Sequence, residues 1–154
     1  MPTYQWQAAN VNPVLIALEK AKIASEKSLE PWQTIEDGQK NRQIWQQAIA
    51  ALNRVSRNAP LYPFAQKKLI DYQGKLYIIN YQLSQEKEAE TKLIIAKKTA
   101  QLAQVRQNAA KTLNHWQQVQ ATWEAAINSL NSIPKNTIAY QEAQQLLNNY
   151  NSVS

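Results

Sequence analysis

Few residues of this chain are placed to do covalent chemistry. Its single histidine, His115, has no cysteine to work with and no acidic residue at i±3 or i±4 to orient it, so neither a nucleophile–base pair nor a metal pair is spelled out. No Gly-rich phosphate loop, nucleophile-elbow serine or His-x3-His pair is present. Glu86, Glu88 and Glu90 stand at i, i+2 and i+4 among lysines, and Glu88 is spaced to pair with Lys92. A carboxylate metal site would need a second acidic helix facing them, and the last stretch of the chain offers only Glu142. The sequence therefore predicts no catalytic residue, no metal ligand and no cofactor, and the chain reads as a protein that is not an enzyme.

Two groups of residues could instead make contacts. Arg54, Arg57, Lys67 and Lys68 bracket a proline loop, and two helix ends meeting there would gather four positive charges. Such a patch suits an acidic protein, a lipid headgroup or nucleic acid. Nucleic acid is the weakest of these, because no aromatics are expected to interleave with the cations on an exposed face. Tyr4 and Trp6 form the second group, ahead of the first expected helix, either docked on the body of the protein or touching a partner.

The elements that must carry these residues are helices. Only two glycines, Gly38 and Gly74, occur in 154 residues, and between Gly74 and Pro134 neither Gly nor Pro interrupts a run dominated by Ala, Gln, Lys, Glu and Leu. The chain is expected to be all-α. No apolar run reaches the eighteen or so residues of a membrane span, and the N-terminus has no basic-then-apolar leader. Without cysteine there are no disulfides, which leaves the compartment open; the cytoplasm fits, as does a place in the soluble part of a longer, membrane-anchored protein. The net charge of +6 is spread over both halves, with ten Lys/Arg against six acids in residues 1–75 and seven against five in 76–154. This favours solubility rather than one basic arm.

The pattern along the chain is written twice. Trp45, Ala48, Ile49, Leu52, Val55, Tyr62, Ala65, Gln66, Leu69 and Tyr72 return at a constant offset (123 − 45 = 78) as Trp123, Ala126, Ile127, Leu130, Ile133, Tyr140, Ala143, Gln144, Leu147 and Tyr150. Upstream the offset reads 84: Leu18, Lys27, Leu29, Trp32 and Ile35 match Leu102, Lys111, Leu113, Trp116 and Val119. The difference implies six extra residues in the first copy, Glu36 to Asn41, with a break or bulge near Asp37-Gly38. Each copy reads as three helical pieces. The first begins after Asn12-Pro13, with Asn12 as cap, and ends near Ser28; Pro31 opens the next, and Asn114 caps its counterpart. Trp45, Trp116 and Trp123 fall in register with Ile, Leu and Val and are expected in the core.

From Tyr62 to about Thr112 a single helix is expected. Its apolar stripe Tyr62, Ala65, Leu69, Tyr72, Leu76, Ile79, Leu83 resumes one residue out of phase at Ala89, Leu93, Ala96, Ala100 and Ala103. That leaves Glu86 and Glu90 outside the core, with a short loop at 84–88 as the alternative. One residue is about 100° of helix rotation, so the two halves of this helix could serve two bundles. The division expected is an extension at 1–12, a unit at 13–83 and a unit at 84–152, with a single overall domain left open.

The motif Trp-x2-Ala-Ile-x2-Leu-x2-Val/Ile, a proline loop, then Tyr-x2-Ala-x3-Leu-x2-Tyr resembles a tandem helical repeat of cyanobacterial proteins of largely unassigned function. It is also similar to the tetratricopeptide repeat in its opening aromatic and in Ala65 followed by Leu69. The period is about twice the 34 residues of that repeat, and a helix shared between successive three-helix units is instead spectrin-like. The resemblance implies a noncatalytic scaffold or protein–protein interaction module, with the motif residues as packing. The alternative is a module that binds an anionic surface through the basic loop. A protein partner is expected, and self-association is left open.

Overall fold

The computed structural model describes residues 3–153, with side chains described from Asn10 onward. Every regular element among them is an α-helix: α1 (Thr3–Lys27), α2 (Ile35–Leu52), α3 (Tyr62–Ala109), α4 (Leu113–Asn131) and α5 (Tyr140–Val153). The all-α expectation holds. The chain divides into two compact units, unit 1 ending at Leu83 and unit 2 beginning at Ser84. Residues 84–88 are helical, inside the 48-residue α3.

Unit 1 is built on small residues. Ala17, Ala21 and Ala24 of α1 and Ala48 and Ala51 of α2 are all buried, and side chains this short let two helices approach closely. The larger side chains come from the second half of α2 and from α3: Trp45, Leu52, Leu69, Tyr72, Ile79 and Leu83 join the same core. The Trp45 and Tyr72 rings meet at 5.2 Å, tilted by 57°. In unit 2, Ala89, Leu93, Ala96, Ala100 and Ala103 of α3 pack with residues of α4 and α5, including Leu130, Ala143 and Leu147. There Trp123 and Tyr150 meet at 5.4 Å and 53°.

Several expectations need correction. The first helix starts at Thr3, not after Pro13, so residues 3–12 are not an extension. A proline inside a helix loses one backbone hydrogen bond and crowds the preceding turn. Tertiary contacts hold this one in place. Pro13 and Val14 are buried, and Asn10, also buried, accepts a hydrogen bond on its Oδ1 from Ser56 N–H at 2.8 Å.

No bulge forms at Asp37-Gly38. Thr34 caps α2, with Asp37 N–H donating to its Oγ1 (3.2 Å), while the Asp37 carboxylate accepts from Gln33 N–H (2.9 Å) and Thr34 N–H (3.1 Å). This reciprocal cap makes Asp37 a helix opener rather than a turn residue. Pro31 lies outside the helix it was expected to open. In α4 the cap is Thr112, not Asn114, with His115 N–H donating to Thr112 Oγ1 at 3.2 Å.

The caps also redraw the internal alignment. Thr34 and Thr112 are 78 apart (112 − 34), so that offset runs to the start of α2 and α4. The buried positions of α1, Asn10, Val14, Ala17, Ala21 and Ala24, each precede a buried position of α3 by 79: Ala89, Leu93, Ala96, Ala100 and Ala103. Counted on buried positions, the expected six-residue insertion shrinks to one (79 − 78). Trp32 and Trp116 are therefore not equivalent. Trp32 lies in the loop before α2, whereas Trp116 stands on α4 where α2 has Gly38 (116 − 78 = 38).

Trp116 is not in the core; it is 48% exposed, beside 3% for Trp45 and 5% for Trp123. In unit 1 the equivalent position is covered by Trp32 and Leu83, whose atoms lie within 2.8 Å of where a Gly38 Cβ would stand. In unit 2, α5 runs to Val153, about one turn past the Tyr150 that packs on Trp123. The opening turns of α4, residues 113–118, are all exposed.

Candidate functional site

The four expected cations flank the loop between α2 and α3. Arg54 and Arg57 are exposed in the loop itself, and Lys67 and Lys68 sit in the second turn of α3, with Lys68 half-buried. The loop is not a loose tether. Val55 and Ala59 are buried in the unit 1 core, and Asn10 holds the Ser56 amide from α1. Cations just past the end of α2 also suit its negative dipole end. Among the described residues, none of the four is paired with an acid. Lys68 Nζ lies 5.7 Å from the centre of the Phe64 ring, a cation–π contact that draws it toward its own helix. The result is a set of exposed charges on a pinned backbone. Tyr4 and Trp6 stand in the opening turns of α1, but their side chains lie outside the described residues.

A second candidate surface escaped the sequence reading. α3 buries one stripe and exposes another. Ile70 (71%), Tyr77 (73%), Ile78 (57%) and Tyr81 (59%) face outward within unit 1. Ile70, Gly74, Tyr77 and Tyr81 are spaced 4-3-4, which is one face of a helix. Gly74 makes a notch in that face: a Cβ there would meet nothing within 4 Å. The spacing was visible in the sequence. It was masked by the neighbouring stripe Leu69, Tyr72, Leu76 and Ile79, which is equally apolar and goes to the core.

Glu86, expected outside the core, is 8% exposed. The buried positions of α3 run Ile79, Leu83, Glu86, Ala89, Leu93, so the stripe shifts phase through two successive three-residue steps instead of skipping Glu86. Its Oε2 accepts a hydrogen bond from Ile138 N–H at 2.8 Å, in the loop before α5. A carboxylate buried on a backbone amide serves that loop's conformation. Around it, Ser129 Oγ donates to the Lys92 carbonyl (3.0 Å) and Lys92 Nζ to the Ser132 carbonyl (3.4 Å). Of the other acids, Glu88 pairs with Lys92 at 3.6 Å and Glu142 with Lys97, while Glu90 is exposed. His115 is exposed, and its Nδ1 accepts from Lys111 N–H at 3.2 Å. No three His, Asp or Glu side chains gather at metal-binding spacing among the described residues.

The acidity of Asp37 is shaped by its setting. The Gln33 amide, then the Thr34 amide, hold its carboxyl below the usual range. Burial, followed by the nearby Asp71 charge, pushes the Tyr72 phenol up. Burial does the same for Tyr150.

No helix among the described residues is long and apolar enough to cross a membrane. No family model matches the chain, and none of the curated proteins or solved structures compared with it matches.

Proposed function

We propose that the chain is a noncatalytic scaffold that binds another protein, built from two tandem copies of a three-helix unit that share α3. The duplication rests on the Trp45–Tyr72 and Trp123–Tyr150 pairs, on the Thr34 and Thr112 caps, and on the buried positions 78 or 79 residues apart. The partner reading rests on one observation above the rest, the exposed stripe of Ile70, Tyr77 and Tyr81 beside Ile78 on α3. Aromatic and aliphatic side chains grouped outside a core are what protein interfaces use as anchors, and the Gly74 notch gives such a partner a place to approach the backbone closely.

The alternative is a contact with an anionic surface through Arg54, Arg57, Lys67 and Lys68, supported by three of these being exposed and by their loop being held by Asn10. Crosslinking and pull-down from the source cell at low and moderate salt separates the two. The first reading expects capture that survives moderate salt, is lost in Ile70→Asp and Tyr77→Asp, and persists in Arg54→Glu/Arg57→Glu. Capture that collapses with salt and in the charge reversals, but ignores the α3 changes, would replace it with the second. Turnover of a small metabolite without any captured protein would sink both.

A further inference from the structure

The two buried tryptophans differ in one respect. Trp123 Nε1–H donates to Gln107 Oε1 at 3.1 Å. Trp45 Nε1, equally buried, has no hydrogen-bond partner in the protein. The cause is one position, in α3 for unit 2 and just past the end of α1 for unit 1. Gln107 stands four residues after the buried Ala103, and Ser28 stands four after the buried Ala24 (107 − 28 = 79). The serine is too short to imitate the glutamine. It is also already committed, donating to the Ala24 carbonyl (2.9 Å) and accepting from Asn41 Nδ2 (3.0 Å). Unit 2 thus closes its own donor, and unit 1 leaves the same donor open.

A cavity of about 280 Å³ lies at this place, lined by Trp45, Ser25, Ser28, Lys75, Ile78, Ile79 and Gln82. One water occupies about 30 Å³ of liquid, so the cavity is several times what a single bridging water would fill. It matches the small end of ligand pockets, about 300 Å³. Its chemistry is one-sided. The indole N–H, the Ser25 hydroxyl and the Lys75 ammonium offer donors, no acid lines it, and Ile78 and Ile79 form an apolar wall. Lys75 has no ion pair among the described residues. Asn41, whose Oδ1 is also unpartnered, lines a neighbouring cleft and not this cavity.

We propose that unit 1 binds a small carboxylate with a short apolar tail here, the carboxylate accepting from Trp45 Nε1–H and Lys75 and the tail lying on Ile78 and Ile79. The indole nitrogen is itself buried, so binding requires the side chains that line the cavity to move aside. This goes beyond the scaffold reading and stands or falls separately from it.

The test is a titration of the full chain followed by the indole N–H resonances in proton–nitrogen NMR. Sodium butyrate is compared with butyramide and butanol at constant ionic strength. The Trp45 resonance should move saturably with butyrate, while that of Trp123 stays in place. Lys75→Met, a surface change, should weaken butyrate on the order of tenfold, the value of one charge-assisted hydrogen bond. Ser28→Gln, which installs unit 2's own acceptor, should abolish the shift. A blocked glutamate residue used in place of butyrate separates the two sources of such a group; tighter binding than butyrate points to an acidic peptide, weaker binding to a free acid. A Trp45 resonance indifferent to butyrate, one that responds equally to butyramide, or one that still shifts fully in Lys75→Met would overturn the proposal.

Discussion

Two glycines separate packing from propensity. Both are helical, and in a helix interior Ala is worth roughly 0.5–1 kcal/mol over Gly. Gly74 has open space at its Cβ position, so Gly74→Ala should stabilise the protein by about that amount. Gly38 does not: a Cβ would come within 2.7 Å of the Trp32 ring and 2.8 Å of Leu83. Gly38→Ala should therefore destabilise, by about 1–3 kcal/mol as overpacked cores do. Urea melts of the two variants check the pair, and a gain at both positions would mean that Trp32 yields freely. Glu86 makes a similar distinction between bond and bulk. Glu86→Ala should cost about 1.5–3 kcal/mol, the value of a hydrogen bond to a charged acceptor. Glu86→Gln, which keeps an acceptor for Ile138 N–H, should cost clearly less in the same melts. Neither role could be read from sequence. Asp-Gly signals a turn by residue type, and only the Thr34 cap behind it turns the same pair into the opening of a helix.

Among the elements, α2 depends on its first turn. The folded-state acidity of Asp37 is raised, its carboxyl being held below the usual value by the Gln33 and Thr34 amides. A lowered folded pKa contributes stability that is present above the unfolded value of 3.8 and lost as pH falls through the folded one. The urea midpoint of the parent should thus fall on acidification below about pH 4, with a shallower fall in Asp37→Asn; identical acid limbs would remove Asp37 from that role. Tyr72 works at the other end of the scale. Its raised pKa means that the unfolded chain ionises first, so stability should decline as pH rises past about 10. Tyr72→Phe should flatten that alkaline limb, although Tyr150 contributes to it too. The helices themselves were largely legible, because a run without Gly or Pro has few other options. The joints were not. Pro13 reads as a start by its chemistry, and only Asn10 reaching Ser56 and the burial of Pro13 itself reveal that the helix passes through it.

At the scale of the whole molecule, the duplicated tryptophans were the clearest signal, and the alanines were the most underrated. Trp45 and Trp123 match by identity, which fixes their offset. Trp32 and Trp116 match just as well by identity, yet one is in a loop and the other half exposed on α4. The buried alanines at 17, 21 and 24 and at 96, 100 and 103 hold the alignment that the structure respects, but alanine is too common in helices for its recurrence to stand out. The basic residues were legible as a group, whereas the α3 stripe and the open indole at Trp45 needed to be seen next to what covers them. Trp45→Ala and Trp123→Ala should each cost roughly 3–5 kcal/mol; a variant melting at the parent temperature would show that its ring is not a core element. Each tryptophan also lies within about 5.5 Å of a tyrosine in its own unit. Each half of the chain thus contains its own optical probe. With Trp6, Trp32, Trp116 and one of these two rings replaced by phenylalanine, the near-ultraviolet tryptophan signal of the remaining ring reports on one core at a time. Two superimposable melts would describe a single cooperative transition, and two separated ones would show that the halves lose their structure in turn.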